Sequence, residues 1–218
     1  GFIDRFNIDI RTEQEVIAIH PERKSIEIRN IKTGQTYSET YDKLALSPGA
    51  EPIRPNIQGI DSSRIFTLRN VDDTDAIKEY IIDYKPKSAV VVGGGFIGLE
   101  MAENLHQQGI EVSIVEMADQ VMAPLDFSMA QIVHKELVDK GVKLILNDGV
   151  QKFTDEKENI NISLNSGKHL NIDMVLLSIG VRPETKLAVE AGLKIGSTGG
   201  IAVNGYMQTS DNNIYALG

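Results

Sequence analysis

Cysteine and tryptophan are both absent from the 218-residue sequence. Without cysteine, the chain can form no disulfide and can supply no thiolate as a nucleophile or redox centre. Disulfides are typical of oxidising compartments, and the first residues of the chain lack the charged and apolar regions of a signal peptide. We therefore expect this acidic, cysteine-free chain in the cytoplasm.

Long basic runs and long apolar runs are also missing. The chain has 22 lysines and arginines against 31 aspartates and glutamates, which gives a net charge of −9. This balance disfavours nucleic acid or an anionic membrane as a partner. No apolar stretch reaches the roughly 18 residues that a membrane helix needs. The expected partners are therefore small molecules. No metal is expected, because the four histidines lack ligand spacing and are interpreted as surface or partly buried residues: His20, His106, His134 and His169.

The sequence does have a glycine-rich turn between an apolar run and a helical pattern. Residues 90–98 read VVVGGGFIG, which is the strand–loop–helix context that a dinucleotide-binding motif requires. Gly93 would permit the tight turn, Gly95 would let the backbone approach a pyrophosphate, and Gly98 would let the helix pack on the strand. The free N–H groups of the helix N-terminus would favour the phosphates. The alternative is a glycine-rich turn that binds nothing.

Strands and helices alternate on both sides of this turn. Short apolar runs predict buried parallel strands, and the longer periodic segments predict helices. Pro86 ends the first helix, and Gly109 and Gly141 close the next two. The alternation predicts an α/β fold with a doubly wound parallel sheet of the Rossmann type. The predicted helices are 71–84, 96–108 and 128–140, and the predicted strands are 88–92, 111–116 and 142–146.

The residue at the end of the second strand predicts which dinucleotide is bound. Glu116 stands about 20 residues after the loop, where an acidic side chain accepts hydrogen bonds from the adenosine ribose. No lysine or arginine occurs in residues 111–134, so a 2′-phosphate would meet negative charge without a cationic partner. The pattern predicts NADH in preference to NADPH. The alternative is that Glu116 is a solvated residue at a strand end.

Two strand-rich segments, beginning at Val16 and Val150, resemble each other. Each contains two strands, a glycine turn and a short apolar strand that leads through Ser and one further residue to Gly49 or Gly180. We interpret the pair as a duplication rather than as two unrelated hairpins. The second segment completes a dinucleotide fold with a β-hairpin crossover. The first has no glycine-rich loop before it, so we expect its front half upstream of residue 1.

These motifs together resemble those of the pyridine nucleotide-disulfide oxidoreductase family over nearly the whole chain. The similar branch is that of coenzyme A-disulfide reductases, NADH oxidases and persulfide reductases. The residues that carry the resemblance are 91–116, ALSPGAEP at 45–52, GVRP at 180–183, TS at 209–210 and IYALG at 214–218.

The resemblance implies an NAD-binding domain at residues 56–183, flanked by FAD-binding segments at 1–55 and 184–218, the second of them truncated. Phe96 resembles an aromatic gate over the flavin and Glu100 a carboxylate near the nicotinamide amide. The alternatives are a core aromatic and a solvated helix residue. The implied NAD contacts are Gly93, Gly94, Gly95, Phe96, Ile97, Gly98, Glu100, Glu116, Met117, Ile179, Gly180 and Val181. The implied FAD contacts are Val16, Ser47, Pro48, Gly49 and Gly218.

The resemblance further implies the NAD-binding portion of a homodimeric, FAD-dependent reductase of a disulfide, a persulfide or oxygen. Hydride would pass from NADH to FAD and onward through a redox cysteine upstream of residue 1, so no catalytic residue is expected in this chain. One alternative is a fragment of a flavoprotein reductase without that cysteine, such as a ferredoxin or nitrite reductase. Another is a dinucleotide-binding module without enzymatic activity.

Overall fold

The computed structural model describes residues 5–217 of the chain. The chain divides into two compact units, which we name by their place in the sequence. The inserted unit consists of residues 51–182, and the flanking unit consists of residues 1–50 and 183–218. Within residues 5–217, no helix combines the length and the apolar character that crossing a bilayer requires.

Fifteen strands, four α-helices and one short 3-10 helix (Pro21–Arg23) make up the described fold. The strands are β1 (Gln14–His20), β2 (Ser25–Asn30), β3 (Thr36–Thr40), β4 (Leu44–Leu46), β5 (Ala50–Pro52), β6 (Ile65–Thr67), β7 (Ser88–Val92), β8 (Glu111–Val115), β9 (Lys143–Ile145), β10 (Val150–Asp155), β11 (Ile160–Leu164), β12 (His169–Ile172), β13 (Met174–Leu177), β14 (Val181–Pro183) and β15 (Ile214–Ala216). The α-helices are α1 (Val71–Tyr84), α2 (Phe96–Gln107), α3 (Phe127–Asp139) and α4 (Lys186–Glu190).

The inserted unit is built on a five-stranded sheet with the order β6-β13-β7-β8-β9. Every neighbouring pair in this sheet is parallel. The predicted α/β fold with a parallel Rossmann-like sheet is therefore confirmed. The predicted helix bounds differ from those observed by at most one residue. Assignments of helix ends ordinarily vary by about one or two residues.

The central strands of this sheet are buried on both faces. Val90 and Val91 are each 0% exposed and point to opposite sides. The Val91 side packs against α1, α2 and α3, whereas the Val90 side packs against the antiparallel strands β10 to β12. Each such valine contributes about 1.5–3 kcal/mol through removal from water. A β-meander thus covers the face where a doubly wound fold usually carries helices.

Both units contain a three-stranded antiparallel meander, β1-β2-β3 in one and β10-β11-β12 in the other. Each meander has an irregularity in its first strand, between Val16 and Ala18 and between Val150 and Lys152. An extra residue at such a bulge is left out of the strand pairing. The two predicted hairpin segments therefore share their strand order and also the position of a bulge directly after the first valine.

In the flanking unit, a parallel pair of strands, β4 and β15, lies beside the meander β1-β2-β3. Its core combines Ile19 of β1, Ala188 of α4 and Ile214 of β15, all buried. The chain passes between the flanking and inserted units along β5 and β14, and these two strands pair with each other. The inserted unit therefore begins and ends at neighbouring strands.

Candidate dinucleotide site

A cavity of about 640 Å³ opens at the carboxyl ends of the parallel strands in the inserted unit. Ligands of open α/β sheets bind at this edge, and the volume lies within the usual range for small-molecule sites. Among the described residues, the lining is mostly apolar and includes the carboxylates Glu116 and Asp148 but no lysine or arginine. The cavity is therefore suited to a ligand whose charge is met by backbone groups rather than by cationic side chains.

The glycine loop between β7 and α2 forms one wall of this cavity, and its tight turn depends on Gly93. Gly93 has a φ of +105°, and a Cβ there would lie 2.3 Å from the carbonyl oxygen of Ser178. A Cβ on Gly98 would lie 2.1 Å from the carbonyl oxygen of Gly93. Both positions therefore need glycine, as the sequence predicts, although Gly98 makes its close contact with the loop itself.

Gly95 differs from these two glycines, because its missing side chain leaves open space. A Cβ built at Gly95 meets no atom of the described residues within 4 Å, apart from its two chain neighbours. Gly95 is the N-cap of α2 and its φ is −80°, with no side chain capping the first turn. The N–H groups of that turn have no intrahelical partner, so they and the positive end of the helix dipole are available to an anion.

Glu116 follows β8 and holds the loop through its carboxylate. Oε2 accepts a hydrogen bond from the Gly94 amide at 2.7 Å, and Oε1 accepts one from the Ala118 amide at 2.8 Å. Each carboxylate oxygen has a second lone pair, so the group keeps the capacity to accept from a ligand hydroxyl. The residue predicted to contact a ribose thus also fixes the glycine loop.

The residues that follow β13 form another wall of the cavity. Gly180 has a φ of +111°, which favours glycine, and its carbonyl accepts a hydrogen bond from the Ile53 amide at 3.0 Å. Ile179 and Val181 on either side are 36% and 53% exposed. Both apolar residues line the cavity.

Ten of the twelve residues predicted to contact NAD line this cavity. Phe96 and Ile97, on the first turn of α2, are 61% and 43% exposed. Gly98 lies beneath the loop, and Glu100 lies one turn further along the exposed side of α2, outside the lining. The ten lining residues are Gly93, Gly94, Gly95, Phe96, Ile97, Glu116, Met117, Ile179, Gly180 and Val181.

Three consecutive lining residues were not predicted: Asp148, Gly149 and Val150. Asp148 is 6% exposed and accepts hydrogen bonds from the Ser166 hydroxyl, the Ser166 amide and the Gly149 amide. The hydrogen bond from the Ser166 hydroxyl is the main cause that lowers the pKa of Asp148. The similarity of the two strand-rich segments could have indicated this wall. Val150 begins the second segment as Val16 begins the first, and Val16 is a predicted FAD contact.

A second cavity, of about 230 Å³, lies in the flanking unit. Val16, Ser47 and Pro48, three of the predicted FAD contacts, are among its lining residues. Gly49 is outside the lining and has a φ of +72°, with its carbonyl accepting from the Glu184 amide at 3.0 Å. Gly218 lies outside the described residues.

One prediction about the histidines is wrong. His134 is only 8% exposed, so it is a buried residue rather than a surface or partly buried one. A backbone amide, that of Val121, donates to its Nε2 atom at 3.0 Å. A hydrogen bond of this kind offsets the cost of removing the imidazole from water.

Comparison with known proteins bears out the family predicted from the motifs. The family described as pyridine nucleotide-disulphide oxidoreductase matches residues 3–218. The chain is 43% identical to an NADH oxidase of Methanocaldococcus jannaschii, over 97% of this chain and 47% of that protein. It is 36% identical to a coenzyme A disulfide reductase of Staphylococcus aureus, over 100% of this chain and 48% of that protein. The chain thus spans about half the length of these curated relatives.

Solved structures agree with this comparison. Reduced Bacillus anthracis CoADR-RHD matches with a TM-score of 0.96 and 51% identity, over 100% of this chain and 39% of that one. A water-forming NADH oxidase from Lactobacillus brevis bound to NADH matches with a TM-score of 0.85 and 32% identity, over 93% and 44% of the two chains. Its engineered form, a water-forming NADPH oxidase bound to NADPH, matches with a TM-score of 0.88 and 30% identity, over 94% and 45%.

A parallel sheet with a glycine loop at its carboxyl edge and an acidic residue after the second strand defines a dinucleotide-binding fold of the Rossmann class. Within that class, the family match covers nearly the whole sequence. The chain belongs to the pyridine nucleotide-disulphide oxidoreductase family.

Proposed function

We propose that the inserted unit binds NADH and that the chain is the NAD-binding portion of an FAD-dependent NADH oxidoreductase. The observation that carries this proposal is the juxtaposition of an open helix N-terminus at Gly95 with the carboxylate of Glu116 in one cavity. The acceptor reduced by the full-length protein would be a disulfide, a persulfide or oxygen. The relatives named coenzyme A disulfide reductase and NADH oxidase support that range.

The geometry of the cavity suggests how the dinucleotide lies. The pyrophosphate would take hydrogen bonds from the amides at the start of α2, where Gly95 leaves space. The adenosine ribose would donate to Glu116, with Met117 and Val150 on the adenine side. The nicotinamide would then reach Phe96 and the strand end at Ile179 to Val181. When bound, the two dinucleotides supply the hydride chemistry, and the protein supplies orientation and electrostatics.

Preference for NADH over NADPH follows from the charge of this cavity. A 2′-phosphate would lie beside Glu116 with no cationic side chain in the lining. The engineered NADPH oxidase carries a glycine-to-alanine change and, 18 positions later, an aspartate-to-alanine change followed directly by an alanine-to-arginine change. Gly98 and Glu116 of this chain are likewise 18 positions apart, as are the changed glycine and aspartate of that oxidase. Removal of an acid and addition of an arginine at the corresponding place in that protein support the proposed role of Glu116.

We assign FAD binding to the flanking unit, as the family resemblance of the motifs implies. Val16, Ser47 and Pro48 line a cavity there, and the bulge after Val16 leaves backbone groups outside the strand pairing. These groups would hold part of FAD in the full-length protein. We also propose that the full-length protein is a homodimer in which a cysteine outside this chain passes electrons to the acceptor, as the family resemblance implies.

The first test is a calorimetric titration of the 218-residue chain with NADH and NADPH. We expect NADH to bind more tightly, by about 1–3 kcal/mol or roughly 5- to 150-fold. Equal or tighter binding of NADPH would contradict the proposed role of Glu116. If the chain binds neither dinucleotide, the assignment of the cavity as a dinucleotide site is wrong.

The second test uses the full-length protein and its cysteine. Replacing that cysteine with serine should abolish reduction of disulfide and persulfide acceptors while the flavin is still reduced by NADH. Undiminished reduction of those acceptors would instead favour a cysteine-independent flavoprotein reductase, such as a ferredoxin or nitrite reductase. The chain without the rest of the protein should oxidise NADH no faster than a protein-free control.

A further inference from the structure

A segment of eight residues, 118–125, connects the site to helix α3, and we refer to it as the buttress segment. It begins directly after Glu116 and Met117 and ends before Asp126, the N-cap of α3. Gln120, Ala123 and Pro124 of this segment line the cavity. The segment has no regular secondary structure, so its shape depends on individual contacts.

Two consecutive residues of the buttress segment hold Gly94 of the phosphate loop. The Met122 amide donates to the Gly94 carbonyl at 2.8 Å. Val121 is 0% exposed, and its side chain packs so tightly on Gly94 that a Cβ there would lie 2.7 Å from Val121 Cγ1. Gly94 is thus fixed by Glu116 at its amide and by the buttress segment at its carbonyl and Cα.

The buttress segment is in turn held by His134 of α3. The Val121 amide donates to His134 Nε2 at 3.0 Å, and the other ring nitrogen, Nδ1, lies 3.1 Å from the side-chain amide of Gln131. Val121 and His134 are both buried, so loss of the acceptor leaves a buried amide without its partner. The contacts run from His134 through Val121 to Gly94.

We infer that His134 is a positioning residue for the phosphate loop. By accepting the Val121 amide, it keeps Val121 and Met122 against Gly94 and so keeps the loop in the shape that a dinucleotide pyrophosphate requires. This inference rests on the proposed function of the cavity. Because the pyrophosphate is common to both dinucleotides, loss of the His134 contact weakens NADH and NADPH by the same factor. Substitution of Glu116, in contrast, changes their ratio.

Two polar substitutions separate this role from a general contribution to stability. In His134→Gln, the side-chain oxygen reaches the place of Nε2 and still accepts the Val121 amide. In His134→Asn, the side chain is one methylene shorter and ends near the place of Nδ1, so the Val121 amide loses its partner. A matched control is Val133→Ala on the same helix, because Val133 packs against the apolar core.

The experiment measures dissociation constants for NADH and NADPH by calorimetry, together with amide hydrogen exchange by NMR, in the complete 218-residue chain. His134→Asn should weaken both dinucleotides by about 3- to 30-fold with an unchanged ratio, and the Val121 and Met122 amides should exchange faster. His134→Gln should recover most of the affinity. Val133→Ala should lower the melting temperature and leave both dissociation constants unchanged.

The possible negative results distinguish the proposed function from the role of His134. If the unsubstituted chain binds neither dinucleotide, the proposed function falls and this inference falls with it. If the unsubstituted chain binds NADH and His134→Asn binds it equally well, only the inference is overturned. It is also overturned if Val133→Ala weakens binding as much as His134→Asn, or if His134→Gln recovers none of the affinity.

Discussion

The carboxylate of Glu116 accepts a hydrogen bond from the Gly94 amide at 2.7 Å, so the residue proposed to select the dinucleotide is bonded to the loop proposed to hold its phosphates. In the proposed function, dinucleotide specificity and loop shape are therefore coupled at one side chain. A substitution that removes the carboxylate changes both.

We predict that Glu116→Ala weakens NADH binding by about 1.5–3 kcal/mol, since a charged acceptor is lost. NADPH should be weakened less, because the repulsion of its 2′-phosphate is removed as well. Adding Met117→Arg should favour NADPH further by supplying a cationic partner. Calorimetric titration of the single and double variants measures the ratio. Glu103→Ala is the control, since Glu103 is an exposed carboxylate on α2 outside the cavity lining, and an equal effect there would contradict the prediction.

The glycines of the loop provide a matched pair of variants. Gly93→Ala should destabilise the fold by at least about 1–3 kcal/mol, because its φ of +105° is unfavourable for alanine and its Cβ would meet the Ser178 carbonyl. Gly95→Ala should leave stability unchanged, since the Cβ would meet no atom of residues 5–217 within 4 Å apart from its two chain neighbours. It should nevertheless weaken NADH binding by about 1–3 kcal/mol through overpacking against the pyrophosphate. Denaturant unfolding and calorimetry test the pair, and the reverse order of effects would refute it.

We predict that the ionisation of Asp148 makes the stability of the fold depend on pH. Its folded-state pKa lies below the ordinary value of 3.8, mainly because the Ser166 hydroxyl donates to its carboxylate. A lowered pKa stabilises the fold at pH values above 3.8, and that stabilisation is lost as the pH falls through the folded-state pKa. Asp148→Asn should therefore be less stable than the unsubstituted chain at neutral pH, with a difference that shrinks in acid. A difference in melting temperature that is constant from pH 7 to about 3 would show that ionisation is unimportant.

The inserted unit should fold by itself. Residues 51–182 form a compact unit, and near its ends the Ile53 amide donates to the Gly180 carbonyl at 3.0 Å. A polypeptide of these residues should unfold cooperatively and bind NADH with the affinity of the 218-residue chain. Circular dichroism and calorimetry test both points. Non-cooperative melting would mean that the flanking unit is needed for folding, and folded protein without binding would mean that the site is incomplete.

The parts of the structure that could be predicted are those with a local pattern. The apolar run before Gly93, the glycine loop and the periodic helix after it specify β7, the loop and α2 within about one residue. The place of Glu116 at the cavity could be predicted because its distance from the loop is fixed by one helix and one strand. The two meanders were visible as a repeat because strand order and glycine turns recur at similar intervals.

The remaining parts depend on contacts between residues distant in sequence. Asp148 reaches the cavity because it bonds to Ser166 across a turn, and no motif marks either residue. His134 appears in the sequence as an isolated histidine on a helix, and only the packing of the buttress segment on α3 brings the Val121 amide to it. Glu100 was placed near the nicotinamide from family resemblance, but it lies outside the cavity lining, and its role stays a prediction.

The bulges after Val16 and Val150 affect how much the side chains of the two meanders can differ. Each bulge leaves one residue, Ile17 or Gln151, without a partner in the strand register. What such a residue offers to its surroundings is a main-chain amide and carbonyl, which every amino acid except proline supplies equally. An apolar isoleucine and a polar glutamine can therefore stand at the same place without altering what the backbone presents there. The same main-chain path can in this way be kept by two segments whose side chains differ.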